Sequence, residues 1–187
     1  QKNKEYFSLV LNGGLFNGQG NLEISQIPLK ILNIFMDDQK DLKGGIDLKL
    51  NYDLEKRYFQ TELSSKNTFF NDYELNIKRS KIEYNQNNKK RFNLDFSLFL
   101  EDENNPIKLV GFLPSNKNGI LDLRLVAGNE IIKLIDEFSN ENINFTKGEV
   151  DVDIRLRGPM NQPIFNGDLE VEDSEIDIYK NKLKNLK

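Results

Sequence analysis

The chain has 187 residues, long enough for one or two domains and a sizeable core. With 30% charged residues, 37% apolar residues and a net charge of −4, it reads as an ordered chain, and the weakly acidic balance argues against nucleic acid as the main partner because phosphate contacts need clustered Lys and Arg. It holds no Cys, His or Trp, which excludes thiol chemistry, zinc sites built on Cys or His, and every His-based relay.

Period-2 alternation of apolar and polar residues dominates from the start, so strands are expected along most of the chain. Phe7–Leu11 and Asn21–Ser25 are the first two, joined by a Gly- and Asn-rich turn over 12–20. Gly18-x-Gly20 in that turn leads into a strand and lacks the remaining glycine of a dinucleotide fingerprint. In "IPLKILNIFMDD", Pro28 can open a short helix whose apolar stripe is Leu29, Leu32, Phe35 and Met36. Ile46, Leu48, Leu50 and Tyr52 then alternate with Asp47, Lys49 and Asn51. Arg57–Leu63, Tyr73–Arg79 and Lys81–Tyr84 are further strands, separated by expected turns at 64–72 and 85–91.

Phe92, Leu94, Phe96, Leu98 and Leu100 alternate with Asn93, Asp95 and Ser97, with Phe99 as the exception. After a turn at 101–106 comes Ile107–Leu113, then a turn at 114–119. Leu121, Leu123, Leu125 and Ala127 follow, alternating with Asp122, Arg124 and Val126. "GNEIIKLIDEFSNE" puts Ile131, Ile132, Leu134, Ile135 and Phe138 on one helical face with Asn129 as N-cap, or forms an apolar strand with irregular ends. Val150, Val152, Ile154 and Leu156 oppose Asp151, Asp153, Arg155 and Arg157. A turn at 158–163 precedes Leu169, Val171, Ile176 and Ile178. The expected fold is all-β with one or two short helices, a long antiparallel meander with one dry and one wet side.

Candidate chemistry is sparse. The carboxylate pairs Asp151/Asp153 and Glu170/Glu172 have strand spacing that sends both members to the solvent face, which suits solvation rather than acid–base work. The loop "EDENN", which carries Glu101, Asp102 and Glu103, offers oxygen ligands for calcium but lacks an Asp-x-Asp-x-Asp-Gly pattern. Lys89-Lys90-Arg91 and the run from Lys180 to Lys187 read as solvated turns or strand edges. Asn144-Phe145-Thr146 matches a glycosylation sequon, which a chain with 25 Asn produces by chance. The reading is therefore of a non-enzymatic protein with no cofactor and no metal.

Landmarks recur about a hundred residues apart. "LNGGLFNGQGNLEIS" precedes "LVGFLPSNKNGILDLRL", each followed by an apolar helical segment. "KGGIDLKLNY" (43–52) is echoed by "KGEVDVDIRL" (147–156), and "FQTEL" (59–63) by "FNGDL" (165–169). One segment built of approximate units 7–105 and 106–187 is expected, an array rather than a closed domain. The chain opens on Gln1 without a signal peptide, which reads as a piece of something longer.

The stretch "EVDVDIRLRGPMNQPIFNGDLEVEDSEIDIYKNKLKNL", with Gly158, Pro163 and Gly167 between two alternating strands, resembles the TamB (translocation and assembly module) branch of the AsmA-like proteins. "EISQIPLKILNIF" followed by "KGGIDLKL" looks like the preceding unit, although "DLEKRY" stands where its Gly and Pro would be expected. The resemblance implies a sheet curled into an open hydrophobic groove, the β-taco. It would stand in the periplasm as part of an inner-membrane-anchored protein, the anchor lying outside this segment. The implied function is conducting phospholipids between inner and outer membranes and supporting outer-membrane protein assembly, with a BamA-like outer-membrane barrel of the TamA type as partner. Phospholipid acyl chains would be the ligand, and the groove lining is expected to include Ile46, Leu48, Leu50, Phe92, Leu94, Phe96, Leu98, Leu123, Leu125, Val150, Val152, Ile154, Leu156, Leu169, Val171 and Ile176. Two alternatives stand beside it: a scaffold that pairs its edges with client strands, and a purely structural β-repeat.

Overall fold

In the computed structural model the alternating segments form one antiparallel sheet of 12 strands, with almost no helix. The structure describes residues 8–13, 18–35, 41–71, 73–86, 90–100, 105–132, 134, 143–178 and 181–186. The strands are β1 (Ser8–Gly13), β2 (Gln19–Pro28), β3 (Leu42–Asp53), β4 (Tyr58–Phe70), β5 (Tyr73–Ile77) and β6 (Ser80–Asn85). They continue as β7 (Arg91–Leu100), β8 (Ile107–Pro114), β9 (Ile120–Ala127), β10 (Ile143–Pro159), β11 (Ile164–Ile178) and β12 (Asn181–Leu186). Sheet order follows chain order, and β5 and β6 share one position between β4 and β7.

That shared position explains a difference from the sequence reading. The polar run 64–72, expected as a turn, stays in the sheet as far as Phe70. Its hydroxyls make the extension possible by replacing ladder bonds where β5 and β6 break at Lys78 and Arg79. Ser65 and Thr68 are buried with their hydroxyl oxygens 3.1 Å apart. Ser65 Oγ accepts the Ile77 N–H at 2.8 Å, and Thr68 Oγ1 donates to the Leu75 carbonyl. On the far side, buried Ser80 accepts the Ser97 N–H at 2.9 Å. A polar stretch that satisfies its neighbours' backbone groups can run through a sheet.

The two glycines of the echoed "KG" motifs occupy the same structural place. The β3/β4 ladder shifts register between Lys43 and Gly45, and the β10/β11 ladder between Lys147 and Glu149. Gly44 (φ 85°) and Gly148 (φ 132°) are the residues at those bulges, in backbone conformations that side chains disfavour.

Two helical segments follow β2 and β9. Pro28 closes β2 instead of opening the helix, and a 3-10 segment runs over Leu29–Phe35. Leu29 is buried with Leu42 and Phe70, and Ile46, Leu75 and Leu134 pack against them. After β9 a helical turn begins at Glu130. Asn129 stands at the expected N-cap position, its carbonyl accepting the Ile132 N–H at 3.1 Å, while its side-chain oxygen accepts the Val150 N–H at 2.6 Å instead of capping the turn. Strand β9 ends at Ala127, so Val150 extends past its last ladder partner and takes the side chain in its place. Ile131, Ile132 and Leu134 pack on the main core of Leu100, Ile107, Ala127, Val150 and Val152. The side chains of Leu32, Phe35, Met36, Ile135, Phe138 and Ile176 lie outside the described residues, as does the loop 101–104.

Candidate functional site: an apolar face with a stitched edge

Directly paired residues in neighbouring strands share a face, so the register decides whether the dry sides merge. They do. One row runs from Leu11 through Leu22, Leu50, Thr61, Ile82, Leu94, Gly111, Leu123 and Leu156 to Phe165, each residue paired with the next. It spans β1 to β11 with only Thr61 and Gly111 departing from large apolar character. A parallel row contains Leu9, Ile24, Leu48 and Leu63, then Phe96, Leu109, Leu125 and Ile154 beyond the β5/β6 break. Nearer the hairpin turns, Tyr52, Phe59, Tyr84, Phe92 and Leu113 are paired in succession. Tyr84 stacks on Phe92 with ring centroids 4.8 Å apart.

The expected lining residues distribute over these rows. Leu50, Leu94, Leu123 and Leu156 stand in the first, and Leu48, Phe96, Leu125 and Ile154 in the second; all eight are half-buried. Ile46 and Leu98 lie one step further toward the helical segments and pack on the core clusters. Val150 and Val152 are buried inside the main cluster, with Val171 against it. Phe92 is exposed in the aromatic row, and Leu169 is 63% exposed although it pairs with buried Val152. The cause is local: β12 pairs with Ser174–Ile178, and among the described residues nothing pairs with the outer side of the first half of β11. Ile176 is placed by register alone, opposite Phe145 and Leu183. Reading from sequence missed Leu22, Ile24, Leu63, Ile82, Tyr84 and Leu109 as members of this face. Their alternation was visible, but only the pairing aligns them.

The opposite face is charged. Glu23, Lys49, Glu62, Lys81 and Asp95 form a ladder of alternating sign, with ion pairs of 3.4 Å for Lys49–Glu23 and 3.5 Å for Lys81–Glu62. On β10 and β11 the rungs are like-charged: Glu149 faces Glu172, Asp151 faces Glu170 and Asp153 faces Asp168. Arginines from this region offset part of that. A hydrogen bond from Arg124 holds the Asp153 carboxyl below the usual range, and one from Arg155 does the same for Asp122. Among the described residues, no group of three or more acidic side chains is placed to hold a metal ion.

At the end of the sheet nearest the aromatic row, the hairpin turns are bonded to one another. Leu54 N–H donates to Gly18 O at 2.5 Å, Gln86 N–H to Arg57 O at 3.2 Å, Ser115 N–H to Lys90 O at 3.1 Å, and Met160 N–H to Gly119 O at 3.1 Å. Asp53 anchors its own turn by accepting the Lys56 N–H at 2.9 Å and the Lys56 ammonium at 3.0 Å. Those two contacts, the backbone bond foremost, hold its carboxyl below the ordinary value. The result is a stitched edge of successive turns beside an apolar face.

No family model, curated protein or solved structure matches the chain.

Proposed function

We propose that this chain is a section of a TamB-like, AsmA-related bridge protein whose apolar face carries phospholipid acyl chains between two membranes. The observation that carries the reading is the continuous row of paired residues from Leu11 to Phe165, large and apolar except at Thr61 and Gly111. The side chains of its middle strands are half-buried, while the covered core clusters gather at the end beside the helical segments. A half-buried apolar row of this length supports reading the face as a binding surface. A sixteen-carbon acyl chain costs on the order of 12 kcal/mol to expose to water, at about 0.8 kcal/mol per methylene. A face made mostly of Leu, Ile, Val and Phe lowers that cost along its length, which lets a lipid slide instead of lodging. Curling of the sheet into an open groove would shelter the chain while its headgroup stays wet. The recurrent Gly44 and Gly148 bulges after each helical segment support a repeated unit of about 100 residues extending such a groove. In this reading the protein is non-enzymatic, anchored in the inner membrane outside this segment, periplasmic here, and partnered at the outer membrane by a BamA-like barrel of the TamA type.

The test is transfer of a fluorescent phospholipid from labelled vesicles to the purified chain. The parent chain should extract lipid. Phe96→Asp and Leu123→Asp should each reduce extraction at least about fivefold, because a carboxylate on the apolar path is costly to desolvate. Val110→Asp, on the charged face, should not. No extraction by the parent, or equal extraction by all three variants, defeats the reading.

A second reading has its own observation. Edge strand β1 exposes Leu9, Val10 and Leu11 at 58%, 48% and 40%, and among the described residues pairs on one side only. Such an edge suits strand addition by a client outer-membrane protein. Crosslinks from β1 to client strands, with no lipid extracted, would select it.

A further inference from the structure

We infer that the stitched edge of hairpin turns holds the anionic headgroups of lipids whose acyl chains lie on the apolar face, so that the surface favours anionic over zwitterionic phospholipid. The inference rests on the lipid-carrying reading above and adds to it a headgroup class and an orientation. In a meander, alternate connections fall at opposite ends of the strands, and here the two ends differ in charge. The connections at the stitched end, 14–18, 54–57, 86–90, 115–119 and 160–163, contain five basic residues and one acidic. Those that join strands at the other end, 29–41, 71–72, 101–106, 128–142 and 179–180, contain eleven acidic residues and four basic. A chain of net charge −4 therefore presents a positive edge.

Several of these cations are available to a ligand. Lys56 is held by Asp53, but Arg57, Lys90 and Lys117 are exposed and have no carboxylate partner among the described residues. Arg57 donates from Nη1 to the neutral Gln86 side chain at 2.7 Å, which orients the guanidinium and leaves its charge uncompensated. The three sit on successive turns bonded to one another, one per hairpin, at intervals of about 10 Å. Beneath them lies the aromatic row, with Phe59 and Phe92 exposed at 37% and 39%. Aromatic rings in this position suit the boundary between headgroup and acyl chain. A lipid with its phosphate at the turns would lay its tails toward Leu29, Leu42 and Phe70, where the helical segments cover the face. The reverse orientation would bring the phosphate against the acidic connections. Charge thus selects both the class of headgroup and its direction.

The experiment incubates the 187-residue chain with vesicles of equimolar phosphatidylglycerol and phosphatidylcholine, re-isolates it, and counts each bound lipid by native mass spectrometry. At low salt, phosphatidylglycerol should exceed phosphatidylcholine about fivefold, and the excess should shrink as salt rises. The triple variant Arg57→Gln, Lys90→Gln, Lys117→Gln should bind as much lipid in total with the ratio near one. Lys108→Gln, on the charged face, should keep the parent ratio. Equal amounts of the two lipids on the parent, or an unchanged excess on the triple variant, overturns the headgroup inference and leaves lipid carriage standing. Absence of either lipid from the parent overturns both.

Discussion

Arg124 and Arg155 stand directly opposite each other on β9 and β10, and each guanidinium crosses diagonally to the other strand's aspartate. Arg124 donates from Nε and Nη2 to Asp153 at 2.7 and 2.5 Å, and Arg155 donates to both Asp122 oxygens at 2.7 Å. A like-charged rung, which would repel, is converted into two bidentate pairs.

The crossed pairs make stability depend on pH. Asp122 and Asp153 both have lowered folded-state pKa values, caused first by the arginine hydrogen bonds. Their contribution is complete above the unfolded carboxylate value of about 3.9 and is lost as pH falls through the depressed folded values. Asp122→Asn should lower the urea midpoint at pH 7, and that loss should shrink as pH falls through the depressed folded value, where the parent gives up the same interaction. An equal loss at every pH would remove the pairs as the cause.

A second expectation concerns close strand approach. Gly111 has φ 135°, and an added Cβ would press into the Asp122 carbonyl oxygen of the neighbouring strand. Gly111→Ala should destabilise by roughly 2–4 kcal/mol in equilibrium unfolding. Gly128→Ala is the control: its nearest neighbour would be the flexible end of Glu130 at 3.3 Å, so a change within about 0.5 kcal/mol is expected.

The hydroxyl bridge at the β5/β6 break yields a third. Ile77 is buried, and its N–H is satisfied by Ser65 Oγ. Ser65→Ala should cost about 1–3 kcal/mol by stranding that donor. Amide exchange at Ile77 should accelerate more than at Leu94, which lies elsewhere on the sheet.

Strands were legible because alternation with period 2 has a single physical reading, and Ile46–Tyr52 or Val150–Leu156 carry it without error. The extension of β4 through Ser64–Thr68 was not legible, since polar residues usually mark turns and only the three-dimensional partners of Ser65 and Thr68 show otherwise. Asn129 was placed correctly ahead of the helical turn, but the target of its side chain was not legible, because a cap and a strand-end acceptor use the same oxygen. The apolar face was half visible. Leu48 and Leu123 could be assigned a dry side from sequence, but the exposure of Leu169 depends on how far β12 extends, which local patterning does not encode.

Leu100 and Leu169 should therefore differ sharply despite identical chemistry. Leu100 is fully buried in the main cluster, and Leu100→Ala should lose about 2–5 kcal/mol. Leu169→Ala, 63% exposed, should stay within about 0.5 kcal/mol. Chemical denaturation of the two variants under one set of conditions decides it.

The sheet pairs each strand position with the next one along the chain, with no crossover anywhere in the described order. Each pairing joins strands that are near neighbours in the chain, so assembly can advance strand by strand from whichever end arrives first. Such a ribbon needs no distant partner to begin ordering, so it can zip up progressively while the remainder is still being delivered. Under load it should peel from its outermost strands inward instead of rupturing as a whole.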